Sequence, residues 1–474
     1  MNAVLNAPLQ TTANLVAAFT TSLRREAQRA ASREGLKFED FALPGLRPLV
    51  YMFDEGTADT RTPQLRGGKG SCLAELVALS MPVPPGATIT TDVATVLGKS
   101  HDLPFSLATE VIFALGKIEQ KSGLLFGSSE RPLLLSVRSG APVSMPGMMD
   151  TILNVGLTRA TLPGLAARLG QRSALDCYRR FLAMFGNTVL NVPQQCFQDL
   201  LGDALTDAGV ASEQGLSCYF LERLCLRYER LIEEASGRPL PVDPLEQLAM
   251  AICAVFASWH SKRAQTYRNN ESIPEGCGTA VNLQAMVFGN CDQQSGTGVV
   301  FSANPATGES VELYGEFLPQ AQGEDVVAGV RTPLPLAHLA SSMPAVHKQL
   351  CRLVDLLSRH YEDILDIEFT VESGRLYLLQ CRPAKRTTAA AAVYAVGRVR
   401  SAQWTIEQAL ASVKSSEVER LRRPVFDQSS LAAALAEDGR LLLAGRPASP
   451  GTAVGELTFS SERATKLFLA NQPF

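Results

Sequence analysis

The chain has 474 residues, 46% of them hydrophobic and 19% charged, with mean hydropathy +0.05, so it carries enough apolar material for folded cores and is not intrinsically disordered. Lys and Arg total 44 against 47 Asp and Glu, a formal charge of −3, which leaves no positive excess to meet a nucleic-acid backbone or an anionic membrane. At roughly 100–200 residues per domain, the length fits two or three domains or one elaborate enzyme domain.

In chain order, residues 1–48 read as an extension, an Ala/Arg-rich helix over 13–33 followed by a segment punctuated by Pro44 and Pro48. Gly67-Gly-Lys-Gly70 leads into an expected helix over Cys72–Leu79, and the prolines from Pro82 to Pro85 stop it before a strand at Ala87–Thr91. A short buried strand is expected at Leu133–Val137, followed by a Gly/Pro/Met loop over Ser139–Met149. Helical periodicity dominates 174–270, with long candidates at Ser217–Ser236 and Pro244–Arg268 and core phenylalanines such as Phe181 and Phe185. Strands are expected at Thr279–Phe288, Gly298–Ser302, Ser310–Tyr314, Ile364–Val371 and Arg375–Cys381, with a helix near Ala345–His360. Beyond Arg386, an Ala-rich stretch (388–395) and a charged helix near Thr405–Arg422 read as a connector. A new unit starts at Leu441, with a strand-like Ala453–Phe459.

The ten cysteines are scattered without Cys-x-x-Cys pairs, and none of the five histidines has metal spacing, so neither zinc nor a disulfide framework is signalled. No apolar run reaches the ~18–20 residues that span a bilayer, so no membrane partner is expected. The expected compartment is cytoplasmic. Because residues 1–25 lack acidic groups, an organelle transit peptide is the alternative to a surface helix.

Side-chain parity nominates a site. In Asp366-Ile-Glu-Phe-Thr-Val371 the two acids share one face; in the next strand Gln380 and Arg382 share one face. A two-residue Ser373-Gly374 turn pairs Glu368 with Leu379 and splits this polar set, whereas an odd loop or a bulge pairs Glu368 with Gln380 and Asp366 with Arg382. The odd connection is preferred here because it alone buries one consistent apolar face. The resulting patch suits Mg²⁺ and a polyphosphate, since hard oxygens ligate the metal and a guanidinium forks onto phosphate. Its alternative is a solvated strand face bearing an ion pair. Lys69, set in flexible glycine backbone before a helix N-terminus, and Arg138, at a strand end beside Ser139-Gly140, are further phosphate candidates. A surface turn and a structural ion pair are the competing explanations.

Taken together, these segments resemble the N-terminal, nucleotide-binding portion of the pyruvate, phosphate dikinase family. The runs that carry the resemblance include Gly67-Gly-Lys-Gly70, Ser136-Val-Arg-Ser-Gly140 with Ser144-Met-Pro-Gly-Met-Met-Asp150, and Tyr178-Arg-Arg-Phe181. Met286-Val-Phe-Gly-Asn290, Ala321-Gln-Gly-Glu-Asp325 and Gln380-Cys-Arg382 complete it, over about 49–460. The resemblance implies an α+β, ATP-grasp-like domain over 49–386 with a helical insert at about 157–245. A helical connector over 387–440 would then lead to the incomplete start of a swivelling phosphohistidine domain over 441–474.

It also implies ATP, Mg²⁺ and inorganic phosphate as ligands. In the family, ATP, phosphate and pyruvate give AMP, diphosphate and phosphoenolpyruvate by way of a phosphorylated histidine. Carried over by position, Lys69, Arg138 and Arg382 would hold the polyphosphate and stabilise its developing charge. Asp366, Glu368 and Gln380 would organise Mg²⁺, Met286 and Val287 would flank adenine, and Glu316 and Glu324 would meet the ribose. No histidine here matches the phosphoryl carrier, and the pyruvate-binding barrel has no counterpart. The expectation is therefore the ATP half-reaction, with a histidine-bearing acceptor in trans and a homo-oligomer as a further possibility. A non-catalytic ATP-binding module and a decayed dikinase fragment are the alternatives.

Overall fold

The computed structural model describes residues 7–31, 47–100, 103–104, 106–145, 147–310, 313–327, 331–413, 427–437 and 455–470. Helices and largely antiparallel sheets mix along the chain, as an α+β reading requires. Contacts divide the chain into two compact units. The first holds the residues up to Val300 with Gly315–Val354 and Ile367–Arg382; the second holds Phe301–Tyr314, Asp355–Asp366 and the residues from Pro383 onward.

The first sheet of unit 1 uses β1 (Val50–Met52), β2 (Gly86–Ile89), β5 (Leu135–Gly140), β6 (Thr151–Val155) and β7 (Ala280–Ala285), in the order β1-β2-β7-β5-β6. All four pairings are antiparallel, and every residue of β7 is buried, as suits a central strand covered on both faces. The short β3 (Leu125–Phe126) and β4 (Pro132–Leu133) pair separately and in parallel. Helix α1 (Ala7–Ala31) buries Phe19 and Leu23 in the same core. The N-terminal helix therefore contributes apolar surface to the unit.

Helix α2 (Pro63–Ala78) begins earlier than expected and breaks at Gly67, whose φ of 67° and ψ of 168° are not helical. A Cβ there would lie 1.5 Å from the carbonyl oxygen of Gly140, and the Gly68 amide donates to the Ala141 carbonyl at 2.8 Å. The glycine run is thus packed against the end of β5 rather than being a free, flexible turn. Helices α3 (Thr91–Ser100) and α4 (Leu107–Ser122) follow it.

The helical region contains α5 (Leu162–Leu169), α6 (Gln171–Thr188), α7 (Gln194–Ala208), α8 (Cys218–Ser236), α9 (Pro244–Ser258) and α10 (Lys262–Asn270). In α8, Leu221, Leu224, Cys225, Tyr228 and Ile232 form the buried stripe. The single helix expected over Pro244–Arg268 is two helices. Asp243 caps α9, and Ser261, accepting from the Ala264 amide, opens α10 in a new direction.

The second sheet runs β10-β9-β8-β11-β12. Its strands are β8 (Gly296–Phe301), β9 (Tyr314–Pro319), β10 (Leu334–Pro335), β11 (Leu365–Glu372) and β12 (Arg375–Pro383); of the strand expected at Ser310–Tyr314, residues 311–312 lie outside the described residues. Helix α11 (Gly323–Val327) follows β9. Between β11 and β12 only Ser373 and Gly374 intervene, with φ of 48° and 77°. Two positive φ values in a two-residue loop define the tight hairpin turn, which fits the strand twist. The odd-length loop is overturned. Asp292 holds this turn through its carboxylate, which accepts from the Ser295 and Ser373 hydroxyls at 2.6 and 2.7 Å.

Unit 2 has its own small core of Ala303, Ile364, Ala384, Ala390, Tyr394, Ala395 and Trp404. Helix Thr388–Arg400 is capped by Thr387, and helix Ile406–Ser412 by a capping box of Thr405 and Gln408. The proposed start of a phosphohistidine domain falls mostly outside the described residues. Of the strand expected there, Gly455–Phe459 is described and is irregular, and a helix follows at Ser461–Leu469.

Candidate functional site

Arg138 lies on β5 between Asn282 of β7 and Thr151 of β6. From this rigid position its Nη1 donates to the carbonyl of Leu379 at 3.3 Å, and its Nη2 stands 3.7 Å from a carboxylate oxygen of Glu368. One guanidinium thus touches Glu368 and Leu379 together, the pair that a two-residue hairpin turn sets opposite each other. This register separates Glu368 from Gln380 and Arg382 along the strands; Gln380 is buried, and Glu368 and Arg382 are each partly exposed.

Lys69 projects from α2 just past the Gly67 break. Desolvation, reinforced by repulsion from Arg138 and Arg382 and only partly offset by Glu368, lowers its ammonium to about 7. Arg138, Arg382 and Glu368 thus all act on Lys69. Cations converging on a desolvated lysine fit a polyanion, whose phosphate oxygens would accept from them and lift the Lys69 pKa again. Among the described residues no group of three or more His, Cys, Asp or Glu is spaced to hold a metal. A Mg²⁺ bound here would take most of its oxygens from phosphate and water, the usual manner of that ion at nucleotides. Asp366 belongs to unit 2 and is half-buried at the start of β11.

Met286 and Val287 line a cleft of about 340 Å³, together with Phe53, Val77, Pro84, Arg168, Glu372 and Tyr377. Lys69, Arg138, Gln380 and Arg382 are not among its lining residues. Glu316 sits on β9 opposite Pro335.

Glu324, on α11, lies in a second charged cluster. Arg180 of α6 is 2.6 Å from Asp325, 2.8 Å from Asp176 and 3.9 Å from Glu324, and it also reaches Glu213. Burial raises the Glu324 carboxyl to about 7; Asp325 adds to this and Arg180 opposes it. Burial also pushes Asp176 upward, yet Arg179 and Arg180 hold it down at about 2. Sequence reasoning missed Arg180 as the group that faces Glu324. The double arginine after Tyr178 was visible, and so was Asp176 four residues before Arg180, but the other carboxylate partners, Glu213 and Asp325, lie 33 and 145 residues away. Four described histidines are exposed or half-buried helix and turn residues, as expected; His101 lies outside the described residues.

Comparison with known proteins decides the family. A profile for "Pyruvate phosphate dikinase, AMP/ATP-binding domain" matches residues 96–348 and 337–403. The chain belongs to the pyruvate, phosphate dikinase family. It is 44% identical over 411 residues to a chloroplastic pyruvate, phosphate dikinase of Flaveria pringlei, covering 86% of this chain and 42% of the relative. It is 42% identical over 437 residues to pyruvate, phosphate dikinase 2 of Oryza sativa subsp. japonica, covering 92% and 48%. Pyruvate, phosphate dikinase 2 of Zea mays is 44% identical over 418 residues, covering 88% and 47%. The chain thus spans less than half the length of these dikinases. Among its described residues, no helix is long and apolar enough to cross a membrane.

Proposed function

We propose that this chain is the ATP- and Mg²⁺-binding phosphotransferase part of a dikinase of this family, with an ATP-grasp-like arrangement of its two sheets. The phosphoryl group would pass to a histidine outside the described residues, and inorganic phosphate would take the γ-phosphate. The observation that carries this reading is the convergence of Arg138 and Arg382 on the desolvated Lys69, with Glu368 within 3.7 Å of the Arg138 guanidinium. In this reading the three cations bind the polyphosphate and stabilise the charge that develops as it is cleaved. Glu368, Gln380 and Asp366 orient Mg²⁺, Met286 and Val287 flank the base, and Glu316 and Glu324 meet the ribose.

Calorimetric titration of MgATP into the wild-type chain and a Lys69→Met variant tests it. The expected result is saturable binding that the substitution weakens at least about tenfold, equal to roughly 1.4 kcal/mol. Because Lys69 takes up a proton when a polyanion binds, wild-type binding at pH 8 should also consume protons, and the variant should not. A folded wild-type chain that fails to bind MgATP removes the catalytic reading.

A further inference from the structure

The two sheets of unit 1 are joined directly through the segment after β7. Its last backbone bond to the first sheet's side runs from the Met286 amide to the Leu134 carbonyl at 2.9 Å, and the Ser173 hydroxyl of α6 holds the segment again by donating to the Asn290 carbonyl at 3.2 Å. Its first bond on the other side runs from the Ala321 amide to the Gly289 carbonyl, also at 2.9 Å. Between the two backbone anchors lie only Val287 and Phe288.

Arg168, the penultimate residue of α5, stands over this short link. Its guanidinium is 5.4 Å from the centroid of the buried Phe288 ring, and its Nη2 donates to Oε1 of Glu372 at 2.5 Å. Helix α5 packs on α6, and α6 on β6, so Arg168 moves with the first sheet. Glu372 ends β11 at the tight turn that Asp292 and Ser295 fix, so it moves with the second. Its carboxylate is only 12% exposed and also receives the Cys291 thiol at 3.6 Å, whereas Arg168 is 32% exposed. A half-buried guanidinium that both stacks on the link and bonds to the far sheet constrains rotation about Val287 and Phe288, which an exposed ion pair alone does not.

We infer that Arg168 and Glu372 form a clasp that sets the angle between the two sheets, and hence the position of Glu368 and Arg382 relative to Lys69 and Arg138. Both act as positioning residues, and because both also line the cleft of Met286 and Val287, the hydrogen-exchange readout rather than MgATP affinity decides the clasp. The clasp rests on the proposed nucleotide reading only for its effect on MgATP binding; its effect on the link is independent of any ligand.

The test uses Arg168→Glu, Glu372→Arg and the reversed pair Arg168→Glu/Glu372→Arg in the full chain. Two readouts are hydrogen exchange of the peptide spanning Ala285–Asn290 and calorimetric MgATP affinity. Each single variant should exchange faster in that peptide and bind MgATP about fivefold more weakly, and the reversed pair should recover both, as expected of a direct coupling. Glu372→Gln, which keeps the shape and removes the charge, replaces any reversal that prevents folding. Unchanged exchange in the single variants, or no recovery in the pair, overturns the clasp. If the wild-type chain binds no MgATP, the nucleotide reading falls, while the exchange comparison still decides the clasp.

Discussion

Two charged clusters of unit 1 solve opposite problems. Around Lys69, Arg138 and Arg382 bring further positive charge close to a buried ammonium; around Arg180, the guanidiniums of Arg179 and Arg180 meet the four carboxylates of Asp176, Glu213, Glu324 and Asp325. In each, repulsion adds to the desolvation of one group. Lys69 drops to about 7 and Glu324 climbs to about 7, while the closely paired Asp176 is held at about 2. The contrast separates groups that are satisfied within the fold from groups whose charge awaits something else.

The largest expected effect is on the acidic side. Replacing Arg180 by Met leaves Asp325 buried without its arginine and Asp176 with Arg179 alone, and urea unfolding should show a loss of about 3–5 kcal/mol. A loss below 1 kcal/mol would mean that Arg179 alone holds this cluster together. The positive side should respond to its backbone seat before its charges. Gly67→Ala places a Cβ on the Gly140 carbonyl and forces a left-handed φ on alanine, at a cost of about 1–3 kcal/mol. An unchanged urea midpoint would show that the α2 break relaxes freely.

The most gradual effects are in pH dependence, and they have opposite signs. Glu324 has a raised folded pKa, so the stability it contributes is complete below its unfolded value near 4.3 and is lost as pH rises toward about 7. Lys69 has a lowered folded pKa, so its charged form costs stability below about 7, and that cost disappears as pH rises toward its unfolded value of about 10.4. Each limb is limited to a slope of about 1.4 kcal/mol per pH unit. Together they produce a minimum near neutrality. Glu324→Gln should flatten the acidic limb alone and Lys69→Met the alkaline limb alone, as read from urea midpoints between pH 5 and 9. Loss of both limbs in either variant would show that the clusters are one coupled system.

Much of this was legible in the sequence. Spacing of apolar residues located α8, where Leu221, Leu224, Cys225, Tyr228 and Ile232 recur on one face, and alternation located β11 and β12. The motif runs identified the family, because glycine, proline and charged residues in fixed order carry information that needs no coordinates. What failed depended on events far away along the chain. The odd loop fails because burial of one consistent apolar face does not outweigh the two-residue turn itself, and the Arg138 contact that reconciles Glu368 with Leu379 comes from 230 or more residues earlier.

The sequence by itself determined the element types, the α+β class and the family, since local backbone preference and hydrophobic period are written residue by residue. Only the tertiary structure decided that the Gly67 break is packed against Gly140, that Lys69 is crowded by two guanidiniums, and that Arg180 faces Glu324. Those outcomes depend on which distant groups share a low-dielectric space, and charge interactions there are set by three-dimensional distance and lost water rather than by separation along the chain.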